Sequence, residues 1–497
     1  MTKPSLIANK RLNLLLKPLA LGLSSVLLAA CTVGPPYSRP DFELPQQFDQ
    51  AAAGASEQVA VGPTMWASLG GAELQTLIER ALQANTQIEQ AAARLAETRA
   101  LSGLTLYALF PTVTAEAGGE RSKSSAGDPF SMPGQGITER YRAGFDASWE
   151  IDLFGSLRNQ SNAIYRRVAA NAAEWRAVQI AISAETAQAW YALRGVSMQL
   201  ALLNQQIERT QQQQELLGKT LAAGHTNALD SARAELQLRR LLAEQPSLES
   251  ERVRQEQRLA VLTAWPVAEL RQHLSDSTEW QTLPLLRSVG TPRDWLLRRP
   301  DIAAAERRLA AAYSDVGYEK AQYFPILNLV GDLGWTAQTF GALGGGGSER
   351  WSFGPSLSWR FLDFGRVKQY VKAAEARADA AEAAYRETVL QALEETENAL
   401  ARLRASNQRI EQLALAEASA VEAERLAELR YQAGADSLFE LLDAQRQRIE
   451  SESEALQARI DQATALVAVY KALAGDFAEP LVPSSAQSSA EMADKRS

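Results

Sequence analysis

Read by parity, the segment Trp351-Ser-Phe-Gly-Pro-Ser-Leu-Ser-Trp-Arg-Phe361 sorts its residues into two sets. Its odd positions are Trp, Phe, Pro, Leu, Trp and Phe, and its even positions are Ser, Gly, Ser, Ser and Arg. Tyr141 to Ile151 does the same, with Tyr, Ala, Phe, Ala, Trp and Ile against Arg142, Gly144, Asp146, Ser148 and Glu150. A period of two predicts strands at ~141–151 and ~351–361, each with one apolar and one polar face. Partner strands at ~111–120 and ~325–335 alternate less cleanly, from Pro111 and Val113 in one and from Leu327 to Trp335 in the other.

Elsewhere the period is helical. Leu193, Val196, Leu200, Leu203, Ile207, Thr210, Gln214 and Leu217 alternate steps of three and four, the spacing of a coiled-coil seam, and Leu393, Thr396, Leu400, Leu403, Asn407 and Ile410 repeat it. Helices are predicted over 72–108, 156–221 and 228–263, and again over 299–323, 366–432 and 438–474. A helix of about 65 residues would be about 100 Å long. The two short helices of each set together nearly equal the long one, so stacked end to end they could line it.

The chain is an internal two-fold repeat. Ile88…Leu95…Phe110-Pro111 returns as Ile302…Leu309…Phe324-Pro325, a shift of 214. Trp149…Phe154-Gly155 returns as Trp359…Phe364-Gly365, and Ala223-Gly224 as Ala433-Gly434, both shifts of 210. The first copy therefore carries a longer loop between its two strands. The predicted organisation is a leader over 1–30, an extended N-terminal segment over 31–71 and a first repeat over 72–263. A linker over 264–298, a second repeat over 299–474 and a polar tail over 475–497 follow.

Residues 1–30 have the basic start (Lys3, Lys10, Arg11, Lys17) and the apolar stretch (Leu19 to Ala30) of a secretory signal. Cys31, the chain's one cysteine, follows Leu28-Ala29-Ala30, and Leu-Ala-Ala-Cys resembles a bacterial lipobox. That resemblance implies a cysteine that receives lipid and becomes the mature N-terminus, with Thr32 in place of Asp implying the outer membrane. No later segment has eighteen consecutive apolar residues, so no membrane-spanning helix is expected. The eleven-residue amphipathic strands with aromatics near their ends instead match membrane barrel strands. Four strands cannot close a barrel, and an open sheet edge is forbidden in lipid, so closure must come from further copies. Three copies give twelve strands; two give eight, too narrow for a wide aqueous lumen.

Composition removes the competing classes. Two histidines, His225 and His273, stand apart from any nucleophile motif or phosphate loop, so neither an enzyme nor a resident metal or other cofactor is expected. A net charge of −8 with no basic block gives nucleic acid no footing. A coiled-coil rod or adhesin would explain the helices but not the paired amphipathic strands.

The runs Cys31-Thr-Val-Gly-Pro-Pro-Tyr-Ser-Arg-Pro40 and Leu296-Leu-Arg-Arg-Pro-Asp-Ile302, followed by Ala304-Ala-Glu-Arg-Arg-Leu-Ala310 and Phe324-Pro325, resemble the TolC-like outer-membrane efflux proteins. They are most similar to the lipoprotein branch that serves resistance-nodulation-division pumps. The resemblance implies a mixed α and β membrane protein, a homotrimer forming a single 12-stranded β-barrel on a 12-helix periplasmic α-helical barrel, with 264–298 in an equatorial belt. It implies the channel of a tripartite efflux system that exports small molecules such as drugs, toxic compounds or metal ions, with a periplasmic adaptor and an inner-membrane pump as partners. An outer-membrane channel of type I protein secretion is the alternative.

In this family the turns between long and shorter helices are the periplasmic tips, which meet the adaptor. Here they contain Gly224, Thr226 and Asn227, and Gly434, Asp436, Ser437 and Leu438. Helix capping alone would also account for these residues. The resemblance further implies a gate at Tyr431, Glu440 and Asp443, the two carboxylates ringing the mouth; on the residues alone, they are equally a solvated acidic helix face. Asp436 departs from relatives that carry a basic or neutral residue there, which leaves a gating salt bridge at that position open.

Cys31→Ser should leave the chain uncleaved or mislocalised, whereas the natural chain should begin at a lipid-modified Cys31. Mass spectrometry of the mature N-terminus checks this, and an unmodified cysteine there would contradict it.

Overall fold

The computed structural model describes residues 32–50, 65–123, 125, 137–222, 228–275, 280, 283, 291–293 and 298–473. Cys31, the leader, the polar tail and the first tip turn with Gly224, Thr226 and Asn227 lie outside the described residues. The elements run α1 (Met65–Ala84), α2 (Thr86–Tyr107), β1 (Thr112–Lys123), β2 (Ile137–Ile151), α3 (Ser156–Ala222), α4 (Ala228–Thr263) and α5 (Val267–His273). They continue as α6 (Pro300–Ala321), β3 (Ile326–Ala337), β4 (Glu349–Ser358), α7 (Arg366–Gln432) and α8 (Leu438–Ala472), with a short 3-10 turn at Phe340–Ala342. The chain divides into two compact units, one of residues 1–41, 94–172 and 304–386, the other of 42–93, 173–303 and 387–497.

The first unit is built on one antiparallel sheet in the order β1-β2-β3-β4, with β1 and β4 at its edges. The two hairpins share a register: Thr112 pairs with Ser148 and Ile326 with Ser358, one pair becoming the other under the repeat shifts of 214 and 210. The same shifts relate two indole hydrogen bonds. Trp149 Nε1 donates to the Leu109 carbonyl at 2.9 Å and Trp359 Nε1 to the Tyr323 carbonyl at 3.0 Å. Each strand exit is thereby tied to the turn that follows the helix feeding its hairpin.

The apolar face of the sheet is bare. Val113, Phe145, Leu333, Trp351, Phe353 and Leu357 are all more than half exposed. On the polar face Asp146 lies directly opposite Asp332, a repulsive cross-strand pair. Arg350 Nη1 offsets it with a contact of 2.8 Å to Asp332 Oδ1, and Ser352 donates to Oδ2. Strand β4 ends at Ser358, short of the sequence boundary at 361, because β3 begins at Ile326 and offers residues 359–361 no partner. Strand β2 begins earlier than its alternation indicated, at Ile137, where β1 pairs with it to the end.

In the second unit a core of Leu69, Leu74, Leu77, Ile182, Trp190 and Val467 joins α1, α3 and α8. Trp190 Nε1 donates to Glu73 at 2.7 Å and the Tyr191 hydroxyl to the Leu69 carbonyl at 2.6 Å, so the polar ends of both rings are satisfied where their bodies are buried. The α3 seam is buried from Leu193 to Leu217 except at half-buried Gln214.

Two helices replace the single one expected over 72–108, and helix begins at Met65, within the segment expected to be extended. The first helix bends at Gly70-Gly71, where Gly71 has φ 64°. The break between α1 and α2 falls on Asn85, which is 3% exposed. Its Oδ1 accepts from the Gln87 amide at 2.9 Å, capping α2, while its Nδ2 donates to the Leu262 carbonyl at 3.0 Å, one of the last carbonyls of α4. One side chain thus closes two helix ends that meet. The linker over 264–298 contains α5, whose Leu270 is fully buried.

Asn85→Ala would strand the Leu262 carbonyl in the core and uncap the Gln87 amide, a loss of about 1–3 kcal/mol. Hydrogen exchange at Gln87 and Ile88 should then accelerate about tenfold or more, as local opening free energy falls. Unchanged protection at both amides would contradict the capping role.

Candidate functional site

The described tip turn is fixed by its own backbone. The Ala435 amide donates to the Arg430 carbonyl and the Gly434 amide to the Tyr431 carbonyl, both at 2.9 Å, with Gly434 at φ 70°. This is the Schellman closure, and its left-handed position favours glycine. The Arg430 guanidinium then clamps Asp436 through two bonds, one of 2.8 Å to Oδ1, and those hydrogen bonds hold the Asp436 carboxyl below its ordinary range. Asp436 therefore does take part in a salt bridge, with Arg430 of its own tip.

Ser437 sits at the N-cap of α8, but its hydroxyl donates to the Glu440 carboxylate and makes no bond to a backbone amide. Leu438 is 4% exposed and packs with Leu441, Leu217 and Ala234, and Tyr431 lies against that cluster. Glu440 is exposed. Asp443, one turn on, accepts from Arg446 Nη2 and Gln447 Nε2, both at 2.7 Å. The structure thus gathers Tyr431, Leu438, Ser437 and Glu440 at one helix start, and gives Asp443 a cation of its own helix that the sequence reading overlooked. An i,i+3 spacing from Asp443 to Arg446 is visible in the sequence and was the available signal. Among the described residues no group of three or more His, Cys, Asp or Glu side chains could hold a metal ion within one chain.

Beyond the tip, a groove of about 740 Å³ between α3 and α7 is lined by Gln206, Thr210, Glu424, Tyr431, Leu438 and Arg448 among others. Arg448 is held between Glu424 and Glu452, and the buried Gln206 Nε2 has no hydrogen-bond partner. Polar side chains thus line the groove beside Leu217, Leu438 and Leu441.

A second charged site closes the junction of α8 with α6. Arg299, 7% exposed, donates through Nη1 to the Ala472 carbonyl at 2.8 Å, and through Nη2 to Asp301 at 2.8 Å and Glu395 at 2.7 Å. Lys471 Nζ reaches the other oxygen of Glu395 at 2.8 Å. Arg299 and Ala472 are the repeat counterparts of Asn85 and Leu262, under shifts of 214 and 210. The first repeat closes its helix junction with a neutral amide and the second with a guanidinium and a salt-bridge network. Arg299 lies within the run Leu-Arg-Arg-Pro-Asp, but nothing in the sequence marks its target, a carbonyl 173 residues away.

A family model described as outer membrane efflux protein matches residues 77–264 and 291–475. Outer membrane protein OprJ of Pseudomonas aeruginosa is 32% identical over 471 residues, covering 93% of this chain and 97% of its own. Among solved structures, the outer-membrane channel OprN superposes with a TM-score of 0.82 at 33% identity, covering 90% of this chain and 99% of that one. The open state of the Neisseria gonorrhoeae MtrE outer membrane channel gives 0.79 at 27% identity, covering 90% and 98%.

Burial works to raise the Glu395 carboxyl, but hydrogen bonds from Lys471 and Arg299 outweigh it and hold the group below its usual range. A carboxyl lowered in the folded chain contributes stability that is present at neutral pH and lost as pH falls through the lowered value. Glu395→Gln should therefore lower the thermal midpoint at pH 7, with the gap to the natural chain closing toward acid. A gap that is constant or widens on acidification would contradict this linkage.

Proposed function

The chain belongs to the outer membrane efflux protein family, and from that premise we propose that three copies close their sheets into a twelve-stranded barrel with a continuous channel through the assembly. As a member it is the outer-membrane channel component of an efflux system, and its helices belong to the periplasmic side. The observation that carries the assembly reading is the sheet: four strands, two open edges and an apolar face whose Phe145, Leu333, Trp351, Phe353 and Leu357 are more than half exposed. Lipid can cover the face, but only another strand can satisfy the edges. Lipid on Cys31 would add an anchor at the head of the segment whose Val33 and Tyr37 are bonded to Phe154, Asn159 and Glu306.

In this reading the tips at Gly224, Thr226 and Asn227 and at Gly434, Asp436, Ser437 and Leu438 meet a periplasmic adaptor, which couples the channel to an inner-membrane pump. The exported cargo is small molecules. Tyr431, Glu440 and Asp443 form the periplasmic gate, the first packed on the tip cluster and the other two set on the first turns of α8. A ring of exposed carboxylates favours cations. Because Asp443 is paired with Arg446 and, among the described residues, Glu440 is bonded to a serine hydroxyl, Glu440 supplies most of the ring's uncompensated charge.

Two measurements test this. In a strain lacking its own channel but retaining a compatible adaptor and pump, the chain should lower accumulation of a fluorescent dye several-fold; accumulation equal to the empty strain would contradict an efflux role. In planar bilayers, Glu440→Gln should reduce cation preference more than Asp443→Asn does. Equal selectivity in both variants and the natural channel would place the gate elsewhere.

A further inference from the structure

In the first unit the two repeats meet along a seam with a recognisable set of contacts. Strand β2 of the first repeat pairs with β3 of the second, Trp149 opposite Leu329. Phe154 stacks on Phe324, ring centroids 4.6 Å apart and planes 19° from parallel. Asn159 of α3 fills the space beside Gly317 of α6, its side chain 2.8 to 2.9 Å from where a β-carbon on that glycine would stand.

The repeat shifts hold in three dimensions. They carry the hairpin register of β1 and β2 onto that of β3 and β4, and the Trp149 bond onto the Trp359 bond. In the other unit they carry the Asn85 bond onto the Arg299 bond. Applied to the seam itself, they exchange its sides. The first repeat's side, β2 with Phe154 and Asn159, becomes β4 with Phe364 and Gln369. The second repeat's side, β3 with Phe324 and Gly317, becomes β1 with Phe110 and Gly103.

Every member of that second seam is uncovered in the single chain. Strands β1 and β4 are the open edges of the sheet. Phe364 is 92% exposed and Phe110 59%. Gln369 is exposed where its counterpart Asn159 is buried, and nothing lies within 4 Å of the β-carbon position of Gly103. On the same helix Leu104 and Tyr107 are bare, whereas their counterparts on α6, Tyr318 and Ala321, are half-buried and buried.

We infer that this bare seam is the contact between copies: β4 of one copy pairs antiparallel with β1 of the next, Leu357 opposite Ala117, and Phe364 stacks on Phe110 of the next copy. The occupant is a second copy of this chain because only that chain carries both halves of the repeat-related set. The inference rests on the proposed trimer and adds to it a register and a residue-level contact. Carried over from Trp149 opposite Leu329, the register sets Trp359 opposite Ala115 of the next copy. Large side chains then lie across from small ones, as in Leu357 with Ala117. Toward the loop end, Phe353 faces Arg121 and Trp351 faces Lys123, where a cation can lie over an aromatic ring. It also gives residues 359–361 the strand partner they lack within one chain.

Paired cysteines read the register directly. Residues directly opposite on antiparallel strands have Cα atoms about 4.5–5.5 Å apart, within disulfide range, while two-residue diagonals lie about 7–8 Å apart. Leu357 and Ala117 of one chain sit on opposite edges of its sheet, so a bond between them joins two copies. In oxidised outer membranes, Leu357→Cys with Ala117→Cys should yield disulfide-linked dimers and trimers at several-fold the level given by Leu357→Cys with either Ala115→Cys or Gly119→Cys. A shifted pair that links best, or no linkage from a chain that native mass spectrometry shows to be trimeric, overturns the register while leaving the trimer standing. A chain that is monomeric in native mass spectrometry overturns both. Should the cysteine variants fail to assemble, Phe110→Ala and Phe364→Ala decide: each should lower the temperature of trimer dissociation, and the double variant should lose little more than the larger single loss. Strictly additive losses would show that the two rings do not touch.

Discussion

A sheet edge is a row of unpaired amide and carbonyl groups, and in hydrocarbon no water is present to satisfy them. This chain makes four strands and leaves two such edges, on a sheet whose Trp351, Phe353 and Leu357 face is fit for lipid and little else. The chain therefore cannot complete its own membrane structure. In the proposed assembly, pairing with further copies removes that cost. The indole bonds of Trp149 and Trp359 hold both hairpins at fixed angles to the helices that feed them, which presents the edges in a defined geometry.

The second recurring problem is a helix end inside a core. Shorter helices placed end to end alongside a long one create junctions where terminal carbonyls meet terminal amides, and each needs a partner. Asn85 solves this at the α4–α2 junction with one amide group that both donates and accepts. Arg299 solves it at the α8–α6 junction with a cation, which then requires Asp301 and Glu395 as counter-charges, and Glu395 in turn recruits Lys471. A buried guanidinium is costly unless paired, and here every partner lies within 3.1 Å. The two repeats thus perform one structural task with different chemistry, and the charged version closes the end of α8, the helix whose start bears Glu440 and Asp443.

Much of this was legible from residue order alone. Parity exposed the two membrane strands because a buried or lipid-facing side must alternate with a wet one, and steps of three and four exposed the seam from Leu193 to Leu217 for a similar reason. The repeat was legible because Phe-Pro, Phe-Gly and Ala-Gly landmarks recur in order. What escaped was set by tertiary partners. A lone Asn85 inside a helical pattern gives no sign that it breaks the helix, since the Leu262 carbonyl that fixes it is 177 residues away. The end of β4 escaped because it depends on where β3 begins. At the tip, the closing glycine Gly434 was readable from its type, and so was the acidic face; Ser437 stands at the N-cap but turns its hydroxyl to Glu440, and the clamp of Arg430 on Asp436 needs the turn to bring positions six apart together.

The central claim is that the edges of the sheet are closed by two further copies of the same chain. Electron cryomicroscopy of the detergent-solubilised protein measures this most directly. The account predicts particles with a threefold axis and a barrel of twelve strands, four from each chain. A barrel closed by any other number of copies, or a single chain with its sheet edges open to the detergent belt, would contradict it.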